Sequence, residues 1–197
     1  MYPGSIRDLI ECLKDLPGIG EKSAERMAFS ILNFDDEKLD EFSSAISLIK
    51  NIKNCPICNN ITDLDMCYIC SDKSRFDDTI FVVEKAKDII LFEKMGNYKG
   101  RYHVLGGLIS PIDGINPEDI NIESLIKRVK EKDVSEVIIV LKPSIEGETT
   151  TQYIKKILSN FNIRVSKIPI GIPMGTDIEY IDSMTLEMAF EDRKDIS

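Results

Sequence analysis

The 197-residue chain contains no apolar run near the length of a membrane span, and Met1-Tyr-Pro-Gly-Ser5 lacks the charged and apolar regions of a secretory leader. A bilayer-spanning or exported protein is therefore not the expectation, and the cytoplasm is. Positive charge is scarce. With 25 Lys and Arg against 34 Asp and Glu, the formal net charge is −9, which weighs against a generic polyanion binder. Any nucleic-acid contact must be local, built from a few basic residues and backbone N–H groups. There is no internal repeat, low-complexity segment or long linker. The single histidine, His103, lies in an apolar stretch without a cysteine or serine partner nearby, which suits a packed structural residue better than a catalytic one. A chain of this length can bury one substantial core or two small ones.

Against these absences stand Cys55-Pro-Ile-Cys58 and, eight residues later, Cys67-Tyr-Ile-Cys70. Each C-x-x-C knuckle offers two thiolates on one tight turn, and two knuckles complete the tetrahedral shell of one zinc ion. The stretch between them, with Asn59, Asn60, Thr62, Asp63 and Asp65, has almost no apolar material, so metal is the reason for it to fold. Two disulfides or four free thiols fit this spacing less well, and a reducing compartment keeps thiolates available. Four thiolates leave no open position for water or substrate, so the zinc is expected to be structural. It would join an all-helical front part to an alternating strand–helix rear part. Cys12, one turn from Leu9 and Leu16, reads as a small core residue rather than a fifth ligand.

In the front part, Ser5 is expected to cap a first helix whose Ile6, Leu9, Ile10, Leu13 and Leu16 share one face. Leu16-Pro-Gly-Ile-Gly20 ends it, because proline cannot continue a helix and glycine permits positive φ. A second helix starts near Glu21 with Ala24, Met27, Ala28, Ile31 and Leu32 inward. Asp35 or Asp36 caps a third, carrying Leu39, Phe42, Ile46 and Ile49 at helical spacing. Pro-Gly-Ile-Gly can be a plain helix–helix turn. Leu16 to Ala28, however, closely resembles the helix-hairpin-helix of DNA repair proteins, whose turn aims free N–H groups at a phosphate. Lys22 and Arg26, four residues apart, lie on one helical face beside that turn, with Glu21 and Glu25 interleaved so as to weaken the site.

In the rear part, Thr79–Val83, Tyr102–Leu105, Glu136–Leu141 and Ile163–Ile168 read as strands. They alternate with helices through Ile89–Phe92, Glu123–Lys132 and Thr149–Ser159. This order implies an α/β fold with a mostly parallel sheet covered on both faces, whose functional groups gather at the carboxyl ends of the strands. Glu84 and the loop Lys142-Pro-Ser-Ile-Glu-Gly-Glu148 fall at those ends. They resemble the Toprim fold, in which a first-strand glutamate and an Asp-Pro-Asp-x-Glu-Gly loop hold magnesium. Matched residue by residue, the two aspartates fall on Lys142 and Ser144 and the glutamate on Glu146. A cation in place of one carboxylate and a hydroxyl in place of another suit magnesium poorly, and two-metal phosphoryl chemistry is lost with it.

Taken together, the parts and their order resemble the RecR family of bacterial recombination mediators. Val83–Asp88, Tyr102–Gly114 and Ile170–Tyr180 add to the likeness, which runs from about Ile6 to Ala189. Lys142 departs from it, since a neutral residue is expected there. The resemblance implies a helix-hairpin-helix domain at 1–54, a C4 zinc finger at 55–70, a degenerate Toprim domain at 78–175 and a C-terminal segment at 176–197. It implies no catalytic residue, one zinc held by Cys55, Cys58, Cys67 and Cys70, and DNA contacts at Gly18, Gly20, Lys22 and Arg26. It also implies dimers that assemble into a tetrameric ring able to encircle DNA, acting with RecO and RecF to load RecA on single strands. A ring needs few phosphate contacts per subunit, which reconciles DNA binding with an acidic chain. Glu84, Glu146 and Glu148 would suit a basic partner protein. The alternative is a Toprim nuclease that recruits Asp177 and Glu179 in place of the lost pair. Gly106 and Gly107 are expected at a close approach or sharp turn. Pro169 to Asp177 is expected to leave the sheet as an arm. The helix after it, with Met184, Leu186, Met188, Ala189 and Phe190, would pack on the sheet or on a neighbouring subunit.

Overall fold

Apolar residues at helical spacing followed by runs at strand spacing divide the chain into two compact units, Met1–Ile52 and Lys53–Ser197. The computed structural model describes residues 2–169 and 171–193.

The first unit holds α1 (Gly4–Lys14), α2 (Glu21–Ile31) and α3 (Asp36–Leu48). Its core is small: Ile10, Ala24 and Ala28 are buried, with Ile6, Leu9, Leu13 and Ile19 around them. The two alanines let α1 and α2 approach closely. Pro3 rather than Ser5 caps α1, because its carbonyl accepts from the Ile6 and Arg7 N–H groups, each at 3.1 Å, and Ser5 lies inside the first turn. Cys12 is exposed and not a core residue, since the face of α1 that meets α2 runs through positions 6, 9, 10 and 13. Leu16 and Leu32, at the ends of their helices, are also exposed. Asp35 caps α3, accepting from the Lys38 N–H at 2.8 Å. The expected apolar face of α3 is present, yet no residue of the helix is buried. Leu39, Phe42, Ile46 and, just beyond it, Ile49 are open to solvent.

The second unit begins with a two-stranded antiparallel ribbon, β1 (Lys53–Asn54) and β2 (Ile61–Thr62), and the single turn α4 (Tyr68–Ser71). Four strands then form one sheet: β3 (Thr79–Val83), β4 (Arg101–Val104), β5 (Glu136–Val140) and β6 (Arg164–Lys167). All pairs are parallel and the order is β4-β3-β5-β6. Parallel neighbours require crossovers, which are α5 (Ala86–Met95), α6 (Ile122–Glu131) and α7 (Ile145–Leu158). Strand alternation sends Ile80, Val82, Val137 and Ile139 to one face, against Leu125 and Val129 of α6 and Ile154 and Leu158 of α7. The opposite face carries Phe81, Val83, Tyr102 and Val104 against Ile89 and Phe92 of α5, with Tyr98 stacked on Phe81 at 3.7 Å. A last helix, α8 (Ser183–Glu191), follows a stretch that is exposed over residues 171–180.

One element starts earlier than its apolar pattern suggests. α7 begins at Ile145, not Thr149, because Ser144 caps it by accepting from the Gly147 N–H at 3.1 Å. Glu146, Gly147 and Glu148 are thus the first turn of a helix rather than part of a loop. A Cβ at Gly147 would lie 2.1 Å from the Lys142 carbonyl oxygen, so only glycine lets the chain turn this tightly into α7. Gly106 has φ +84° and provides the turn expected at the end of β4, where its N–H donates to the Glu84 carbonyl at 2.9 Å.

His103 is fully buried in β4, consistent with a structural role. Its Nε2 lies 2.7 Å from the Asn121 carbonyl, which can only accept, so Nε2 carries the proton. Nδ1 is left without a hydrogen-bond partner among the described residues. Burial pushes its pKa down from 6.5 to about 4, against the Asn121 carbonyl, which favours the charged ring. Protons therefore bind the unfolded chain more readily than the folded one. The contribution of neutral His103 is intact above pH 6.5 and is lost as pH falls towards 4, by about 3 kcal/mol. His103→Gln, which cannot titrate, should gain in urea-midpoint stability relative to the parent over that window. A constant difference between the two proteins would show that His103 does not set the acid limit.

Candidate zinc centre, hairpin and sheet-end cleft

The zinc centre is built by short-range backbone turns. In the first knuckle the Cys55 N–H donates to the Asn60 carbonyl at 2.7 Å, and the Asn59 N–H donates to the Cys55 carbonyl at 2.9 Å. Asn59 closes this turn with φ +59°, a conformation asparagine tolerates better than most residues. In the second knuckle Cys67 caps α4, and the Ser71 N–H donates to its carbonyl at 3.0 Å. The result brings Sγ of Cys55, Cys58, Cys67 and Cys70 within 4.8 Å of one another. Sγ of Cys58 and Cys67 are 3.5 Å apart. A tetrahedral ion with Zn–S bonds of about 2.3 Å requires S···S separations of about 3.8 Å, so the donor set fits zinc in number, type and spacing. None of the four is in a disulfide, and three of them are buried. They hold one structural zinc. Without a metal, the hydrogen bond from Cys58 would hold the Cys67 thiol well below its usual range while the Cys58 proton is held correspondingly tightly. The metal resolves this by taking all four as thiolates.

The ribbon is joined to the edge of the sheet. The Val104 N–H, on the side of β4 that faces away from β3, donates to the Cys58 carbonyl at 2.8 Å. Asn59 Nδ2 donates to Ser124 Oγ of α6 at 3.1 Å. The Arg101 guanidinium donates to the Ile69 carbonyl and pairs with Asp77 at 2.6 Å. Val104, Ser124 and Arg101 are thus functional supports that knuckle spacing does not reveal. No local pattern marks them, because their role is to meet a segment more than 30 residues away in sequence.

In the hairpin, Pro17 and Gly18 occupy the centre of a type II turn. Gly18 has φ +84°, and the Ile19 N–H donates to the Leu16 carbonyl at 3.1 Å. Gly20 caps α2 with ordinary extended backbone, and a Cβ there would meet open space. Lys22 and Arg26 are exposed on α2. The acids beside them are engaged elsewhere: Glu21 pairs with Lys14 at 2.6 Å, and Glu25 accepts from the Tyr2 hydroxyl at 3.2 Å. Among the described residues, neither Lys22 nor Arg26 is in an ion pair.

At the carboxyl end of the sheet, Glu84 and Lys142 line one cleft. The Glu84 side chain is 13% exposed and pairs with Lys85 at 3.1 Å. Glu146 lies on the first turn of α7, where a hydrogen bond with Ser144 and the nearby Lys142 hold its carboxyl below the usual range. Glu148 pairs with Lys167 at 3.6 Å and accepts from Gln152 at 2.6 Å. Among the described residues, the four cysteines are the only group of three or more His, Cys, Asp or Glu placed to share a metal. Glu84, Glu146 and Glu148 do not converge, and Asp177 and Glu179 do not join them. Ser144 caps a helix.

Likeness to known proteins extends over nearly the whole chain. Family models match in order along it: RecR helix-hairpin-helix at residues 6–49 and the RecR four-cysteine zinc finger domain at 52–72. A Toprim domain follows at 78–169 and RecR C-terminal at 171–194. "Recombination protein RecR" of Natranaerobius thermophilus is 43% identical over 196 residues, covering 99% of this chain and 98% of that protein. Its counterpart in Lactobacillus helveticus is 47% identical over 194 residues, covering 98% of each.

Because the Val104 N–H donates to a knuckle carbonyl, removing the metal should loosen the edge of the sheet as well as the ribbon. Chelation, or Cys67→Ser, should abolish the single equivalent of bound zinc and accelerate amide exchange at Val104 by at least about tenfold. Exchange at Ile80 and Val137, inside the sheet, should change far less. Unchanged exchange at Val104 in zinc-free protein would separate the ribbon from the sheet.

Proposed function

Since this chain belongs to the RecR family, we propose that it is a DNA-binding mediator of recombination and repair that works as a clamp and carries out no chemistry of its own. The observation that carries this reading is the hairpin. Gly20 has neither a backbone conformation nor a packing contact that demands glycine, so its bareness serves something outside the chain. A phosphate that approaches the first N–H groups of α2 at Gly18–Gly20 would have Lys22 and Arg26 at hand, with their acidic neighbours tied to Lys14 and Tyr2. Two cations per subunit are few, and a ring that repeats them by symmetry makes them sufficient.

Assembly as a dimer and then a tetrameric ring is supported by two apolar surfaces, the open face of α3 and the exposed stretch with Ile172, Met174, Ile178 and Tyr180. The absence of chemistry is supported by Lys142 and Ser144 at positions where a Toprim enzyme holds its metal. In this reading the protein acts in the cytoplasm with RecO and RecF to help place RecA on single-stranded DNA. Glu84, Glu146 and Glu148 mark the acidic rim that a basic partner would meet.

Sedimentation with labelled duplex DNA tests the clamp and its contact together. The parent should run as a dimer or larger. Lys22→Ala with Arg26→Ala should keep that mass while binding about tenfold more weakly, with a salt slope lower by roughly two. A stable monomer, or unaltered binding by the variant, would overturn the reading. For the rim, Glu146→Lys with Glu148→Lys should weaken capture of RecO by about tenfold while binding of duplex DNA holds. Equal capture of RecO would remove the rim from the partner surface.

A further inference from the structure

The cleft at the carboxyl ends of β3 and β5 has a volume of about 390 Å³, and its lining includes Glu84, Lys85, Lys87, Leu91, Phe92 and Lys142. Its charges are not balanced. Of the two acids in the lining, Glu84 is committed to Lys85 at 3.1 Å. Asp88 is committed to the start of α5, where Oδ2 accepts from the Lys85 N–H at 2.9 Å. Lys87 and Lys142 are exposed and in no ion pair among the described residues. A chain of net charge −9 thus presents two ammonium groups outside any ion pair on one concave site, Lys142 with Glu146 as its acidic neighbour. The floor between them is apolar. Leu91 is 62% exposed there, beside Phe92, Val140 and Leu141.

Free cations on the rim of an apolar floor match a ligand that alternates anions with flat apolar groups, which is the chemistry of unpaired nucleic acid: phosphates on the lysines and a base on the floor. A duplex keeps its bases stacked inward and would leave the floor unused. A divalent cation would meet Lys142 as a like charge. We propose that this cleft is a second DNA contact, specific for single strands, with Lys87 and Lys142 holding successive phosphates and Leu91 and Phe92 supporting a base. The inference rests on the reading of the chain as a DNA-binding protein, but on residues distinct from the hairpin.

The test uses the full-length zinc-loaded protein and a fluorescent oligo(dT) of about 20 nucleotides, a length that spans more than one such site. Lys87→Ala with Lys142→Ala should weaken binding about five- to tenfold and lower the slope of log K against log salt by about 1.4, two phosphates at roughly 0.7 each. The paired Lys→Arg variant should restore both values. Leu91→Ala should weaken oligo(dT) and leave a duplex of equal length unaffected. Unchanged affinity and slope in the paired alanine variant overturn the proposal. So does an equal loss on duplex, or displacement of oligo(dT) by poly-glutamate in the parent and not in the paired alanine variant, which would make the cleft a site for acidic protein segments. Lys22→Ala with Arg26→Ala, measured in parallel, separates the two contacts. Loss there alone removes the cleft and leaves the hairpin, and loss in the cleft variant alone does the reverse.

Discussion

Four thiolates on one zinc ion are the constraint from which the second unit is organised. The ribbon between Lys53 and Ser71 has two strands of two residues and one helical turn, too little structure to fold by burial alone. Metal binding of the order of 10 kcal/mol or more makes this segment rigid. Rigidity then has a use at the sheet edge. A parallel edge strand presents unpaired N–H groups, and Val104 meets the Cys58 carbonyl instead of solvent or another chain. Arg101 and Asn59 add bonds on either side, so ribbon and sheet share one set of supports. Zinc in this protein is a means of closing a sheet edge with a segment that has no core of its own.

The end of the sheet is arranged by a few side chains. Ser144 caps α7, and the cap sets Glu146 and Glu148 in its first turn. There their negative charge is favoured by the helix dipole. Lys142 supplies a cation at the same place, and Gly147 permits the close turn that joins the two. The acids that remain are satisfied by neighbours rather than by one another: Glu84 by Lys85, Glu148 by Lys167 and Gln152. Lys87 and Lys142 line the cleft at this end of the sheet and are in no ion pair among the described residues.

Much of this is legible in the residues because the signals are local. C-x-x-C spacing specifies a ligand set, Pro-Gly-Ile-Gly specifies a turn, and alternating apolar runs specify strands on a parallel sheet. What local pattern misreads depends on which face of a helix finds a partner. The apolar face of α3 has the spacing of a core helix and remains open. Cys12 has apolar neighbours in sequence and points away from α2. Apolar periodicity starts α7 too late because its first turn is polar, and a cap acts through a hydrogen bond that periodicity does not register. By adjacency Glu21 and Glu25 would weaken the hairpin cations, whereas Lys14 and Tyr2 engage them from outside the motif.

Residue type at short spacing is enough to specify the zinc ligands, the hairpin turn, the α/β order of the rear part and the family. What those parts touch is settled in three dimensions. The fold set the ribbon against β4 through the bond from Val104 to Cys58 and left His103 buried with one nitrogen unpartnered among the described residues. It also gathered Lys87 and Leu91 of α5 and Lys142, beyond the end of β5, into one cleft. The physical reason is the range of the forces involved. Turns, caps and chelation are fixed by neighbours in the chain. Burial and charge are fixed by neighbours in space, and a parallel sheet brings residues tens of positions apart to the same end.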